Sequence, residues 1–299
     1  MGKYLELIRP AEWVKNVFVL AGLVFSAQAK DVASLRSSLL AFAAFCLAAS
    51  FTYVLNDIRD REQDLLHPTK RNRPIARGAV SIHQALVIAG LLLVGAAGLC
   101  LLLPLGFAVV LGNYVLMNLA YTYWLKRRVI VDVIIIAIGF VLRAVAGGVA
   151  IGLGTSPWLI VCTFTLCMFL GFGKRQCELA VMGDAANAAR HRQTLAGYTP
   201  DLLNHLTSVT AGIAIVTFLL YAMDRTGHQP FDKHYLILTL PLVVYAIFRY
   251  AMLIRSGRVS GPTDILVKDR PFVMTILLWA AAAVVVVYWG ADLRVRLGL

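Results

Sequence analysis

Charge is scarce in this sequence: only 15% of its 299 residues are Asp, Glu, Lys or Arg, against 60% that are hydrophobic. Mean hydropathy is +0.76. A water-soluble chain of this length needs a largely polar exterior, so a soluble globular domain is excluded and lipid is the solvent that remains. Cysteine is scarce as well. The five present (Cys46, Cys100, Cys162, Cys167 and Cys177) lie in or beside apolar runs and form no Cys-x-x-Cys pair. That pattern indicates neither a disulfide framework nor a zinc site. Nor does any stretch alternate in the manner of barrel strands, and the lengths of the apolar runs favour helices.

Nine apolar runs approach the roughly 20 residues that a membrane crossing needs. They are Trp13–Ala29, Ser38–Leu55, Ile82–Leu103, Phe107–Trp124, Val129–Ile151, Trp158–Phe172, Leu206–Met223, Tyr235–Ile254 and Phe272–Tyr288. The first and sixth are short, which suits a tilted or partly interfacial segment. Before the first run come Lys3, Glu6, Arg9 and Glu12, the pattern of an interfacial helix leading into a retained span rather than a cleaved signal. The expected fold is all-α and polytopic, with about nine transmembrane helices in one integral membrane domain over residues 1–299.

The net charge of +12 raises nucleic acid as a partner, but its placement argues against that. With the N-terminus inside, 21 of the 28 basic residues fall on one face, as the positive-inside rule requires of a cytoplasmic surface. The same face receives the longest polar stretches, Asn56–Ser81, Gly173–His205 and Gly257–Pro271, whereas the outer turns are lean. A site for a water-soluble substrate belongs there, at the cytoplasmic side of a cell (inner) membrane.

The sharpest chemical signal follows the second run. If the helix continues through Asn56-Asp57-Ile58-Arg59-Asp60-Arg61-Glu62-Gln63-Asp64, then Asn56, Asp57, Asp60 and Asp64 share one side. Crowded carboxylates repel unless a cation sits among them. Mg2+ suits them, because it takes one or two carboxylates and completes its shell with water and substrate phosphates. The plainer alternative is a solvated helix end whose acids pair with Arg59, Arg61 and Arg73. Just beyond lies His67-Pro68-Thr69-Lys70-Arg71-Asn72-Arg73-Pro74. The prolines bend this basic loop so that it can fold back over the acids, and its cations match phosphate oxygens.

With Asn-Asp-x-x-Asp-x-x-x-Asp after the second span and Tyr121-Thr122-Tyr123-Trp124-Leu125-Lys126-Arg127 after the fourth, the chain resembles the UbiA prenyltransferase superfamily. Further segments are similar to its branch that moves phosphoribose onto decaprenyl phosphate. They are Arg9-Pro10-x-x-Trp13-x-Lys15-Asn16, Gly173-Lys174-Arg175-x-x-Glu178-Leu179 and Lys268-Asp269-Arg270-Pro271. The resemblance implies a UbiA-like bundle and an integral membrane transferase. Where ordinary prenyltransferases carry a second Asp-x-x-x-Asp after the sixth span, this chain has Lys174-Arg175-Gln176-Cys177-Glu178, with Asp184 six positions on.

Cations in place of that second acidic pair imply a more anionic ligand. The resemblance points to phosphoribosyl pyrophosphate as donor and a polyprenyl phosphate as acceptor, both used at the membrane, with diphosphate released and no nucleic acid involved. It implies Asp57, Asp60 and Asp64 as catalytic Mg2+ ligands and Asn56 as a polar orienter. Phosphate and substrate contacts fall to Lys15, Lys70, Arg71, Arg73, Lys126, Lys174 and Arg175. Glu178 is left between ribose hydroxyls and a second metal.

Arg143, inside the fifth span, either holds the acceptor phosphate or pairs with Asp132 or another buried acid, because an intramembrane charge needs a partner. Gly147 and Gly148 suit close helix packing. Arg190, His191, Arg192 and Tyr198 read as a solvated loop, and Asp264 and Asp269 as a charged turn before the last span. An alkylating prenyltransferase that uses a prenyl diphosphate is the competing enzyme. A transporter would need more polar residues at the midplane. A homo-oligomer is compatible with any of these readings.

Overall fold

Backbone polar groups have no water to bond within a bilayer, so the chain satisfies them internally as helix. A computed structural model describes residues 2–66, 70–182, 193–224, 233–256, 259 and 261–297, and every regular element among them is helical. Twelve α-helices occur among these residues. They are α1 (Gly2–Ile8), α2 (Ala21–Phe25), α3 (Val32–Arg59), α4 (Arg61–Leu65), α5 (Ile82–Cys100), α6 (Leu105–Tyr123), α7 (Val131–Ala150), α8 (Pro157–Met182), α9 (Pro200–Met223), α10 (Leu240–Arg255), α11 (Pro262–Lys268) and α12 (Arg270–Leu297). Eight stretches among the described residues are helical, long and apolar enough to cross a membrane, which makes this a polytopic membrane protein.

The expected first span takes a different form. Its residues are a 3-10 helix, Pro10–Leu20, running into α2, so no single long helix forms there. The side chains explain the 3-10 winding. Asn16 and Val19 are fully buried while Val14 and Val17 are 63% and 50% exposed. That inside–outside alternation has a period of three, the repeat of a 3-10 helix. Trp13, on the inward row, donates from Nε1 to Ser50 Oγ at 3.0 Å, and Ser50 Oγ donates to the Ile8 carbonyl at 2.7 Å. The greater rise of a 3-10 helix lets Pro10–Phe25 reach roughly 30 Å, about the thickness of the hydrocarbon core. The segment therefore keeps the length of a crossing despite its few residues.

The chain divides into two compact units. The first comprises Met1–Leu23, Ala29–Ile135 and Gly139–Thr155. Its centre is α3, whose inward face carries Ala41, Ala44, Ala48, Ala49 and Ser50, all essentially buried. Small side chains there let neighbouring helices approach closely. Phe45 fills the space beyond them, edge-on to Phe107 at 5.9 Å. The closest approach is between α2 and α7. A Cβ on Gly22 would meet the Gly147 carbonyl carbon at 2.6 Å, and one on Gly147 would strike the Val19 carbonyl oxygen.

The second unit comprises Val24–Gln28, Ile136–Ile138 and Ser156–Leu299. Helices α8 and α9 are joined inside the bilayer region by the Thr165 and Thr217 hydroxyls, 2.9 Å apart. Tyr250 of α10 packs between Phe169 and Phe272, with ring centroids at 5.0 and 6.3 Å. Its hydroxyl donates to the Leu170 carbonyl at 3.0 Å. That ring rests on Gly173, where any Cβ would meet it at 2.7 Å, and so sets the level of Lys174 and Arg175 on α8.

Gly147→Ala is expected to lower stability by about 1–3 kcal/mol, since backbone rather than a flexible side chain must give way. Gly90→Ala, where nothing lies within 4 Å, should leave stability unchanged or slightly raised. Thermal unfolding in detergent compares the two, and equal melting temperatures would contradict the close crossing.

Candidate active site

The first unit gathers charge where α3 ends. Asn56 and Asp57 lie in the last turn of α3, Asp60 is the residue between α3 and α4, and Asp64 lies on α4. The unbroken helix expected over 56–64 is thus interrupted at Asp60, whose φ of −93° and ψ of 5° leave the helical region. Aspartate is a poor helix-interior residue because its side chain competes for nearby backbone groups. Register survives the break: the Asp60 amide donates to the Asn56 carbonyl at 2.9 Å and the Asp64 amide to the Asp60 carbonyl at 2.8 Å. The acids therefore stay near one another.

Each acid meets a cation. Arg73 Nη1 donates to Asp57 Oδ1 at 3.0 Å and to Asp64 Oδ2 at 2.7 Å. Arg9 donates to the same Asp57 oxygen at 2.5 Å, and its guanidinium lies 5.4 Å from the Tyr53 ring centroid. Lys126 Nζ bonds Asp60 Oδ1 at 2.5 Å and Asn56 Oδ1 at 3.2 Å. Three carboxylates thus face three cations, and local charge balances. The loop folds back as its prolines suggested: Pro74 and Ile75 are buried, Ile75 packs in a cluster with Leu7, Phe51 and Val54, and Gly78 turns the chain at a φ of 73°. Residues 67–69 of that loop lie outside the described residues. Of the alternative partners, Arg59 instead stacks on Tyr123, 6.0 Å from its centroid.

Among the described residues no three acidic, histidine or cysteine side chains meet about one point to hold a metal. The donor chemistry nevertheless fits a hard divalent ion. Asp57 is 2% exposed, and its second oxygen, Oδ2, is buried without a hydrogen-bond partner among the described residues. A buried carboxylate oxygen left unbonded is costly. Asp60, Asp64 and the Asn56 carbonyl add oxygen donors beside it.

The other anticipated residues are placed as follows. Lys15 pairs with Glu12, both side chains over a third exposed. Lys70 is half-buried and Arg71 exposed. Arg143 is buried in α7, and its partners are neutral: Asn16 Oδ1 at 2.8 Å, the Gly139 carbonyl at 2.9 Å and Tyr114 Oη at 2.8 Å. The alternative pairing with Asp132 is not found, because 11 residues along one helix separate the two by roughly 16 Å. In the second unit, Lys174 is exposed and 4.0 Å from Glu178, while Arg175 is 1% exposed and bonded to Glu178. Asp184, Arg190, His191 and Arg192 lie outside the described residues. Arg9 is the one cation of the cluster that sequence reasoning left out of the site. Its signal was the Arg9-Pro10-x-x-Trp13 segment; its left-handed φ of 52° runs against the extended backbone usual before a proline.

The chain is thus a polytopic helical bundle with acids and cations gathered at one helix end, and its family makes it a membrane transferase. Residues 16–268 match the UbiA prenyltransferase family, and the chain belongs to it. It is 34% identical to decaprenyl-phosphate phosphoribosyltransferase of Mycolicibacterium smegmatis, across 96% of this chain and 92% of that protein. The Corynebacterium glutamicum protein of the same name is 33% identical, across 95% and 86%. The fold matches a solved UbiA homologue from Archaeoglobus fulgidus, bound to DMAPP and Mg2+, with a TM-score of 0.72 and 19% identity over 95% of this chain and 99% of that one.

Near the start of α12, Asp269 accepts from Arg249 at 2.7 Å and from the Phe272 amide at 2.9 Å. It thereby caps α12, a definite role for what the sequence suggested was only a charged turn. The Arg249 hydrogen bond is the main reason its carboxyl titrates below the ordinary 3.8. A depressed folded pKa means that the contact stabilises the protein fully above the ordinary value and is lost as pH falls through the depressed one. Asp269→Asn should therefore lower the melting temperature at neutral pH and shrink its fall below pH about 4. Melting curves from pH 3 to 7 check this; parallel curves for the two proteins would contradict it.

Proposed function

We propose that this protein transfers 5-phosphoribose from phosphoribosyl pyrophosphate to a polyprenyl phosphate, releasing diphosphate in a Mg2+-dependent reaction. The observation that carries the reading is in the sequence: Lys174 and Arg175 stand where an ordinary prenyltransferase would carry a second acidic pair, while Asp57, Asp60 and Asp64 keep the first. Similarity to phosphoribosyltransferases along nearly the whole chain supports it. Residues 1–299 then act as one transferase domain of an inner membrane, with the N-terminus and the site facing the cytoplasm.

The acceptor phosphate oxygen attacks the anomeric carbon as the bond to the diphosphate oxygen breaks. Positive charge grows on the ribose ring and negative charge on the leaving diphosphate. A phosphate monoester is anionic at neutral pH, so no strong general base is needed. Stabilising the departing diphosphate is therefore the main catalytic task. Asp57, Asp60 and Asp64 would hold Mg2+, with Asn56 beside them. When bound, the metal supplies positive charge to the diphosphate oxygens. Arg9, Arg73 and Lys126, which neutralise the acids in this structure, would with the metal bound be available to donate to phosphate oxygens. Within the first unit Lys70 and Arg71 extend that cationic lining and Lys15 sits on the Pro10–Leu20 segment; on α8, Lys174 and Arg175 are the proposed phosphate binders, with Glu178 bonded to Arg175.

Membranes containing the protein, given phosphoribosyl pyrophosphate labelled in the ribose together with polyprenyl phosphate, should yield a labelled lipid only when Mg2+ is present. Label entering lipid only from a prenyl diphosphate would instead identify an alkylating prenyltransferase. Asp57→Asn should reduce kcat/KM by about a hundredfold or more, whereas Lys174→Ala should raise the donor KM by about tenfold. Full activity in excess chelator would overturn the reading.

A further inference from the structure

In the first unit a polar side chain faces outward at the middle of a span. Asn113 is the ninth of the 19 residues of α6, a helix long and apolar enough to cross the membrane, and it is exposed. Its Nδ2 donates to the Val109 carbonyl one turn back at 2.9 Å, which is its one hydrogen bond among the described residues. The amide oxygen and the second N–H are left over. At this depth an exposed side chain meets acyl chains, which neither donate nor accept, and a polar group left unmet there is costly. The next residue shows the contrast: Tyr114 turns inward, and its hydroxyl accepts from Arg143 at 2.8 Å.

Asn113 also stands within a regular outward row. Gly106, Val109, Asn113, Leu116, Ala120 and Tyr123 follow one another at steps of 3, 4, 3, 4 and 3 along α6, and all but the half-buried Ala120 are exposed. Alternating steps of three and four average 3.5 residues, the repeat with which two helices keep one seam facing each other along their length. The opposite side of α6 is already occupied, since Phe107, Leu111 and Tyr114 pack into the core of the first unit. Beside Asn113, a Cβ on Gly112 would have nothing within 4 Å, so another helix can come close at that level.

We propose that a second copy of this chain packs along this row, α6 against α6, with Asn113 paired to Asn113 of the partner subunit. Every copy crosses the membrane with the same topology, so the two α6 helices run parallel. In a parallel pair each seam position meets its own counterpart, and a single asparagine there sets the register. An amide carries both a donor and an acceptor, so two such groups across a two-fold axis satisfy each other. That self-complementarity selects a second copy over an unrelated partner. The contact does not depend on the reaction proposed above.

The test uses the full chain in liposomes at graded protein-to-lipid ratios, with copies counted by single-molecule photobleaching. The wild type should associate. Asn113→Leu, which keeps an apolar face without the amide, should raise the dissociation constant about tenfold. Asn113→Gln, which keeps the amide, should associate more tightly than the leucine variant. Oxidative cross-linking then locates the contact. Val109→Cys, one seam step from Asn113, should yield a covalent dimer. The wild type, whose five cysteines are buried or half-buried, should not, and neither should Val94→Cys, at an exposed position on α5. A wild type that stays monomeric at every ratio would overturn the inference, as would unweakened association in Asn113→Leu or cross-linking through Val94→Cys alone.

Discussion

The Arg73 guanidinium seated between Asp57 and Asp64 is the contact on which the chemistry of the first unit depends. Both carboxylates are almost fully buried, and neither would remain charged there without a cation and hydrogen bonds. One nitrogen of Arg73 reaches both, so a single side chain ties the end of α3, the short α4 and the loop that follows. Ile75 and Val80 hold that loop in an apolar cluster with α1, α3 and α5. The hydrophobic packing of Ile75 and Val80 thus fixes the position of a charge a few residues earlier in the same loop.

Charge balance explains how such a cluster can exist before any ligand arrives. Three acids with no counter-charge would repel, but Arg9, Arg73 and Lys126 come from three separate segments and neutralise them. On the proposed reading, a divalent ion offers the acids a partner of opposite sign and an anionic substrate offers one to the cations. Acids and cations can therefore exchange partners without leaving an isolated charge in a poorly solvated place. Asp57 Oδ2, buried and without a hydrogen-bond partner among the described residues, is the acceptor still open in this cluster.

Arg143 shows a different solution to a buried cation. It has no acid partner among the described residues, and instead donates to an amide oxygen, a backbone carbonyl and a phenol. Its guanidinium also lies 4.7 Å from the Tyr114 ring centroid and 5.2 Å from that of Phe140. Aromatic faces and neutral acceptors share the charge without adding a carboxylate to desolvate. Through Asn16 the same network clamps the Pro10–Leu20 segment to α7, at the level where Gly22 and Gly147 let the two backbones nearly touch.

By itself, the sequence determined that this chain lives in lipid, that its runs are helices, and that acids and cations meet after the second run. Those follow from composition, run length and residue type, which need no partner to be read. The period of three in the first run is a burial pattern, Asn16 and Val19 inside against Val14 and Val17 outside, and residue type does not show it because the outward row is as apolar as the inward one. Only the tertiary structure decided which cation meets which acid. Arg9 and Lys126 are 48 and 66 residues from their partners, and such pairings arise from helix packing that local pattern does not encode. The same holds for Arg143, two of whose neutral partners lie on other segments, and for the orphaned oxygen of Asp57. An unmet hydrogen bond becomes visible only when every neighbour is in place.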